Sequence, residues 1–212
     1  MRDKCICLIS GGMDSAVAMA WAKSQKWTIF PIWFNYDQKH SKEKECARQQ
    51  CQIFSDHNLC EVVMDMSWCS SCLLKGREEV EGTAYVPARN IIQLSYAGGI
   101  ALEIRAKYII GGWNIIDFGG YPDCRLDFLQ GMQETLRIGM EYQVEIKAPL
   151  ILMTKKEIIQ LGQKLKVPFE HTWSCYKGEE RPCHTCNSCL NRDKGFKELG
   201  ITDPLEKEVK VQ

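Results

Sequence analysis

The segment CLISGGMDSAV, residues 7–17, constrains the fold of this chain more than any other stretch. The apolar residues 5–9 predict a buried strand, and residues 14–24 predict a helix directly after it. Between them, adjacent glycines let backbone amides approach an anion, and the helix N-terminus adds a partial positive charge. We therefore expect an anion-binding turn that consists of Leu8, Ile9, Ser10, Gly11, Gly12, Met13, Asp14 and Ser15.

This turn contains no lysine, which separates it from two common phosphate-binding loops. A Walker A loop needs G-x-x-x-x-G-K-[ST], and the dinucleotide fingerprint G-x-G-x-x-G has separated glycines. A loop without lysine suits a pyrophosphate that leaves while a substrate attacks the α-phosphate. Asp14 would then hold magnesium or cap the helix. A glycine turn capped by Asp14 and Ser15 is the purely structural alternative.

Apolar runs alternate with amphipathic stretches over most of the chain. Further strands are predicted at residues 28–34, 61–64, 107–111 and 144–147, and helices at 41–54, 91–104 and 127–138. Thr154 and Glu157 fit a capping box that starts another helix. This alternation predicts an α/β fold with a parallel, doubly wound, Rossmann-like sheet. We expect a nucleotide-binding α/β domain at residues 1–170, a small C-terminal subdomain at 171–212, and a long loop at 67–87.

Charge balance and cysteine content narrow the class of protein. Lys plus Arg and Asp plus Glu number 27 each, so no net charge draws the chain to nucleic acid or to an anionic membrane. No apolar stretch reaches the roughly 18 residues that span a bilayer, and the first residues lack a signal-peptide pattern. Twelve cysteines without such a signal indicate a reduced, cytoplasmic protein.

Four of the cysteines lie in one short segment with two overlapping C-x-x-C steps: Cys175, Cys183, Cys186 and Cys189. Four thiolates suit a tetrahedral zinc ion, and a site filled by protein ligands alone is structural rather than catalytic. An iron–sulfur cluster accepts the same ligands, and four unrelated thiols are the remaining alternative. His184 sits inside a C-x-x-C turn, where we expect its side chain to point away from the metal.

A second pair, Cys69 and Cys72, superficially matches a thioredoxin-type redox motif. Such a motif opens a helix after a strand, whereas this pair lies in the predicted loop. The pair is either two ordinary loop thiols or a redox or second metal site.

The turn SGGMDS after an apolar strand resembles the signature of the PP-loop ATP pyrophosphatases, and residues 10–15 are named the PP-loop accordingly. Within that superfamily, the chain is similar almost end to end to the 7-cyano-7-deazaguanine synthase family. The segments that carry this resemblance are YVPARNIIQLSYAGGIA (85–101), GGWNIIDFGGYPDCRLDF (111–128), APLILMTKKEII (148–159), TWSCYKGEERPCHTCNSCLNRDKGF (172–196) and DPL (203–205). GYPDCR and TWSCY, combined with the cysteine cluster, are highly specific.

The resemblance implies an ATP-dependent ligase that forms C–N bonds. In that family, ATP adenylates the carboxylate of 7-carboxy-7-deazaguanine, and ammonia displaces AMP to give the amide. A second ATP activates the amide oxygen, whose loss yields the nitrile of queuosine and 7-deazapurine biosynthesis. ATP, magnesium and zinc are the implied cofactors, and a homodimer is the implied assembly. No membrane and no direct nucleic-acid partner is expected.

Residue types suggest roles outside the PP-loop as well. Arg89 and Asn90, at the start of a predicted helix, would meet an anion or the nucleobase, with ordinary capping as the alternative. Asp123 and Arg125 follow a predicted strand, where open α/β sheets bind ligands. A carboxylate accepts hydrogen bonds from a guanine-like edge, and arginine clamps a carboxylate. The predicted catalytic residues are Asp14, Ser15, Arg89, Asp123 and Arg125, and the predicted substrate-binding residues are Asn90, Tyr121, Asp123 and Arg125.

Aromatic and basic side chains complete the expected site. Tyr121, Phe118 or Trp113 would stack on the base, with a place in the core as the alternative. Lys155 is a candidate phosphate contact, and a solvated lysine in the first turn of the helix is its alternative.

Two segments depart from the usual family pattern. Asn35-Tyr36-Asp37-Gln38 stands where the family usually has D-Y-G-Q, and Cys183-His184-Thr185-Cys186 where it usually has C-G-x-C. The first departure changes charge beside the expected nucleotide site. It raises two alternatives: an enzyme that stops at the amide, and one that transfers the activated deazaguanine to another amine, such as one on a protein.

Two further classes are less favoured. A PP-loop tRNA sulfurtransferase would use Cys69 and Cys72, but the neutral net charge and the lack of room for an RNA-binding module disfavour it. A zinc-binding adaptor without activity would not need the intact SGGMDS turn.

Overall fold

Five parallel strands form one sheet in a computed structural model that describes residues 2–39, 41–71, 73–74, 85–115, 121–177 and 180–208. The strands are β1 (Lys4–Leu8), β2 (Thr28–Asn35), β3 (Cys60–Val63), β4 (Tyr108–Ile110) and β5 (Glu145–Lys147). Their order across the sheet is β3-β2-β1-β4-β5. This arrangement confirms the predicted α/β class with a parallel, doubly wound sheet.

Helices follow the strands as the alternation predicts. They are α1 (Met13–Ser24), α2 (Ser41–Phe54), α3 (Arg89–Ile104), α4 (Leu126–Met140), α5 (Lys155–Lys164), α6 (Asn187–Glu198) and α7 (Pro204–Glu208). Short 3-10 turns occupy Pro122–Cys124 and Phe169–His171. The predicted capping box starts α5, where the Thr154 side chain accepts from the Glu157 N–H and the Glu157 carboxylate accepts from the Thr154 N–H at 2.8 Å.

Alternation along the strands separates two cores, one on each face of the sheet. Cys5 and Cys7 of β1 pack with α1, α2 and α5 in one core. Ile6 and Leu8 of the same strand pack with α3 and α4 in the other. Because both faces are covered, β1 is a nearly continuous apolar run, as is typical of a central parallel strand.

The strand order reverses at β1, which has β2 on one side and β4 on the other. In open α/β sheets such a switch point leaves a crevice beyond the carboxyl ends of the strands. Gly112, just after β4, lets the chain pass close to the start of α1: a Cβ there would lie 2.6 Å from the Asp14 carbonyl carbon and the Ser15 nitrogen. The PP-loop therefore lies at the crevice.

The C-terminal segment packs on the sheet domain through α6. Phe196 belongs to the core that contains α1 and α5, and its ring meets Phe169 edge-on at 5.6 Å. The predicted boundary at residue 170 stays a prediction. Within the described residues, no helix combines the length and the apolar character needed to cross a membrane.

Candidate active site and metal centre

A cleft of about 260 Å³ opens at the switch point between β1 and β4. It brings together most of the predicted site residues: Leu8, Ile9, Ser10, Gly12, Met13, Asp14, Ser15, Arg89, Asn90, Trp113, Tyr121 and Lys155. Gly11, Asp123 and Arg125 do not line it. The cleft is thus built from the start of α1, the start of α3 and the start of α5.

The PP-loop is held by its own hydroxyl groups. The Ser15 hydroxyl donates to the Gly12 carbonyl at 2.9 Å and accepts from the Ser10 backbone N–H at 3.2 Å. The Ser10 hydroxyl accepts from the Gly12 N–H at 3.2 Å. These bonds fix the turn before any ligand binds, which lowers the ordering cost of anion binding.

Gly11 anchors the turn from behind. Its φ is +88°, and a Cβ would lie 2.0 Å from the backbone oxygen of Glu43, so only glycine fits there. Its carbonyl accepts from the Trp173 N–H and from the Gln50 amide, both at 3.0 Å. The turn is therefore locked against α2 and the C-terminal segment.

The lysine that the turn lacks comes from α5. The Lys155 ammonium donates to both Asp14 carboxylate oxygens, at 2.7 and 2.9 Å, and the lysine is 7% exposed. The alternative of a solvated lysine is therefore wrong. Capping by Asp14 is also wrong, because Gly12 is the N-cap of α1 and no side chain caps it.

The opposite end of the cleft contains Arg89 and Asn90. Arg89 donates to the Tyr36 hydroxyl at 3.2 Å, and Asn90 donates to the Asp123 backbone oxygen at 3.0 Å. Asp123 is 5% exposed, and within the described chain its Oδ2 atom has no hydrogen-bond partner. Burial raises the pKa of the Asp123 carboxyl, and the Arg89 charge opposes that rise. Arg125 is exposed at the surface.

Two of the three aromatic candidates, Tyr121 and Trp113, line the cleft. Tyr121 lines the cleft and stacks on Tyr85 with ring centroids 5.6 Å apart. Trp113 is 6% exposed and lines the cleft while also packing in the core of α3 and α4. Phe118 lies outside the described residues.

Several cleft residues were missed by sequence reasoning: Trp33, Tyr36, Glu43, Trp173, Tyr176 and Arg192. Glu43 belongs to a charged helix face that resembles a solvated one, so residue type alone did not mark it. Its place soon after the end of β2, at the carboxyl edge of the sheet, is the signal that would have found it. Burial raises the pKa of Glu43 to about 8, opposed in part by Arg89.

Four thiols converge at the predicted metal centre. The Sγ atoms of Cys175, Cys183, Cys186 and Cys189 all lie within 4.8 Å of one another. Backbone N–H groups of Thr185 and Cys186 donate to the Cys183 sulfur at 3.5 and 3.3 Å. Such donors stabilise thiolates, and the set fits a metal ion held by four sulfur ligands.

The electrostatics of the cluster favour thiolates at its turn. The Cys189 thiol and backbone donors lower the pKa of Cys186, and the same hydrogen bond together with burial raises the pKa of Cys189. Cys186 is also the N-cap of α6, where the helix dipole favours an anion. His184 points away as predicted, because its Nδ1 atom lies 3.0 Å from the Asp193 carboxylate.

The two departures from the family pattern share a backbone conformation. Asp37 has φ 59° and His184 has φ 52°, so each stands in a left-handed conformation at a position where the family usually has glycine. The Asn35 side chain donates to Glu61 at 3.0 Å, and neither Asn35 nor Asp37 lines the cleft. The charge change therefore lies outside the cleft wall.

The second cysteine pair is described only in part. Cys69 is buried at 3% exposure in the core of α3 and α4, and Cys72 lies outside the described residues. The reading of this pair as a redox site stays a prediction.

Comparison with known proteins shows which family the chain resembles. Residues 4–200 match the family described as queuosine biosynthesis protein QueC. A 7-cyano-7-deazaguanine synthase of Picrophilus torridus is 39% identical over 97% of this chain and 92% of its own length. Synthases of Thermoplasma acidophilum and Trichodesmium erythraeum are each 40% identical, over 98% and 95% of this chain and 93% and 99% of their own.

Solved structures show the same fold at low identity. An NMN synthetase from Francisella tularensis has a TM-score of 0.56 at 15% identity, over 100% of this chain and 79% of its own. A 4-thiouridine synthetase in complex with RNA and ATP has a TM-score of 0.55 at 20% identity, over 97% of this chain and 49% of its own. These two likenesses concern the fold alone.

Proposed function

We propose, from the premise that the chain belongs to the queuosine biosynthesis protein QueC family, that it is a 7-cyano-7-deazaguanine synthase. The observation that carries the proposal beyond similarity is the cleft, in which a lysine-free PP-loop meets a lysine from α5. In finer terms, the enzyme is a C–N-forming ligase that converts 7-carboxy-7-deazaguanine through its amide to the nitrile, using ATP and ammonia and releasing AMP and pyrophosphate.

At the phosphate end, the chain supplies donors and charge for the leaving pyrophosphate. Ser10, Gly12 and Ser15 line the cleft, and Lys155 brings an ammonium group to the same place. Such preorganised donors stabilise charge that develops in the transition state. Asp14 is the residue that would hold magnesium there, and that ion would neutralise phosphate charge when bound.

At the substrate end, Arg89 and Asn90 are the proposed contacts. The Arg89 guanidinium lines the cleft and suits the carboxylate of the deazaguanine acid, while Asn90 and Tyr121 suit its ring. Asp123 fixes this wall through its backbone oxygen and its effect on Arg89. Direct substrate contacts from Asp123 and Arg125 stay predictions.

For the metal centre we propose zinc in a structural role. All four positions of a tetrahedral site are filled by cysteine sulfurs, which leaves none for a substrate. A homodimer and a cytoplasmic location are proposed from family resemblance. Full-length similarity to synthases does not favour the alternatives of a protein acceptor or a tRNA sulfurtransferase.

One assay tests the reaction as a whole. The protein is incubated with ATP, magnesium, ammonium and 7-carboxy-7-deazaguanine, and the products are identified by mass spectrometry. AMP together with the nitrile is the expected result. If only the amide forms, the enzyme catalyses only the first half of the reaction. ADP as the nucleotide product would contradict activation by adenylation.

A further inference from the structure

One acidic side chain in the cleft has no part in the phosphate chemistry. Glu43 stands in the first turn of α2 and lines the cleft together with Tyr36 and Arg89. Its backbone oxygen lies where a Cβ of Gly11 would be, so the first turn of α2 and the PP-loop are in direct contact. Glu43 therefore lies next to the PP-loop, in the wall of the same cleft.

Glu43 is half-buried and lines the cleft. Among the described residues, no N–H or O–H group donates to it and no cation lies in ion-pair distance. Arg89 acts on it electrostatically but donates its hydrogen bond to Tyr36. A carboxylate that serves only the fold normally has a hydrogen-bond or ion-pair partner, so a half-buried carboxylate in the cleft wall without one indicates a group kept for a ligand.

The groups around Glu43 select the kind of ligand. The titratable or charged groups that influence it, or that it influences, are Arg89 on α3, Tyr36 after β2, Cys46 on α2, and Tyr176 in the C-terminal segment. The rings of Trp33 and Trp173 line the same cleft. A carboxylate repels phosphate and the carboxylate of the substrate, whereas carboxylate and aromatic faces together attract a small cation.

We infer that Glu43 is the catalytic base for the nitrogen substrate: it binds ammonium and takes its proton. This inference rests on the proposed function, in which ammonia is the nucleophile. Ammonium has no lone pair and cannot attack carbon until it loses a proton. A base is most effective when its pKa lies near the working pH, and burial brings the pKa of Glu43 to about 8.

The proton and bond changes balance in both halves of the reaction. In the first, Glu43 accepts a proton from ammonium, the nitrogen bonds the acyl carbon, and the carbon–oxygen bond breaks with its electron pair on AMP. The adduct nitrogen loses a second proton to water. In the second, Glu43, which has released its first proton to water, takes one N–H proton of the adenylated amide. The other N–H proton passes to water, the carbon–oxygen bond breaks with its electron pair on AMP, and the nitrile forms.

The test separates adenylation from the nitrogen steps. Glu43→Gln keeps the shape and removes the base, and Glu45→Gln is the matched control on the exposed side of the same helix. Exchange of labelled pyrophosphate into ATP, dependent on 7-carboxy-7-deazaguanine and without ammonium, reports adenylation alone. We expect exchange within about threefold of wild type for both variants, and amide and nitrile formation about 10²–10⁴-fold slower in Glu43→Gln.

A conservative variant and the pH dependence of amide formation test the role of Glu43 further. Glu43→Asp retains a base one methylene away and should recover part of the amide rate, and thermal melting confirms that each variant is folded. Amide formation by the wild type should rise with pH and level off above about 8, whereas Glu43→Gln should follow free ammonia upward. Equal loss of exchange and amide formation, or an unchanged amide rate, would overturn the role of Glu43. Absence of exchange in the wild type would instead overturn the proposed function.

Discussion

The phosphate end of the cleft and the C-terminal segment each contain a largely buried ion pair, and the two pairs are built differently. Arg192 donates to both carboxylate oxygens of Asp203, at 2.5 and 2.8 Å, with side chains 3% and 6% exposed. It also donates to the Thr172 hydroxyl at 2.7 Å and the Phe169 carbonyl at 2.9 Å. Its donors are thus used within the fold.

In the pair of Lys155 and Asp14 both members line the cleft, whereas of the other pair only Arg192 does. The side chains of Lys155 and Asp14 are 8% and 17% exposed. A ligand phosphate can therefore reach the ammonium, and a cation can reach the carboxylate, without unfolding any element. The difference indicates that a pair enclosed by the fold holds segments together, whereas a pair whose two members line a cleft is accessible to a ligand.

The largest expected effect lies in the cysteine-rich segment. Cys186→Ser should lower the zinc content from about one per chain and should greatly destabilise the protein, because structural zinc contributes on the order of 10 kcal/mol in zinc-finger peptides. Elemental analysis and thermal melting measure the two results. Cys60→Ser, at an exposed cysteine outside the cluster, is the control. Retained metal with an unchanged melting temperature would contradict a structural zinc site.

Breaking the ion pair of Arg192 and Asp203 should have the next largest effect on stability. Asp203→Asn leaves the Arg192 charge buried without its counter-ion, which costs about 3–5 kcal/mol. Urea unfolding measures this loss. Asp193→Asn, at a half-buried carboxylate paired with His184, should cost less than about 1 kcal/mol. Equal stability losses for Asp203→Asn and Asp193→Asn would contradict a special structural role of the pair of Arg192 and Asp203.

Breaking the ion pair of Lys155 and Asp14 should change activity more than stability. Lys155→Met keeps the stem that packs on Gly195 and removes the charge, so ATP-dependent turnover should fall about 10²–10³-fold. The stability change should stay near 1 kcal/mol, because solvent or a cation reaches Asp14. Lys156→Met, at the exposed neighbouring position, is the control. A stability loss as large as that of Asp203→Asn would assign Lys155 a structural role.

The smallest expected effects are at the two positions with left-handed backbone. At Asp37 and at His184, the glycine variant should be more stable than the alanine variant by about 1–2 kcal/mol, since a Cβ strains this conformation. Both variants lack the original side chain, so the loss of its interactions cancels when Gly is compared with Ala. Urea midpoints measure the difference. At Arg48, an exposed position in the middle of α2, the order should reverse, because glycine weakens a helix interior.

Local patterns predicted most of the fold. The strand, glycine turn and helix at residues 5–24 appear as β1, the PP-loop and α1, and the capping box at Thr154 starts α5. The cysteine spacing predicted the convergence of four sulfurs. These features depend on neighbours along the chain, so spacing and residue type were sufficient.

The candidate site could be predicted only in part. The PP-loop, Arg89 and Tyr121 were found from residue type and resemblance, and all line the cleft. Glu43 was missed because its neighbours Lys42 and Glu45 give the helix a solvated pattern. Its burial depends on the packing of α2 against Gly11, which no local pattern records.

The sequence by itself determined the element order, the anion-binding turn, the metal-ligand set and the family. Tertiary structure decided which charges meet. Lys155 reaches Asp14 across 141 positions, and Asn90 reaches Asp123 across 33. The reason is physical: hydrophobic periodicity and turn chemistry act over a few residues, whereas the partner of a charge is set by how helices pack on a sheet whose strand order reverses at β1.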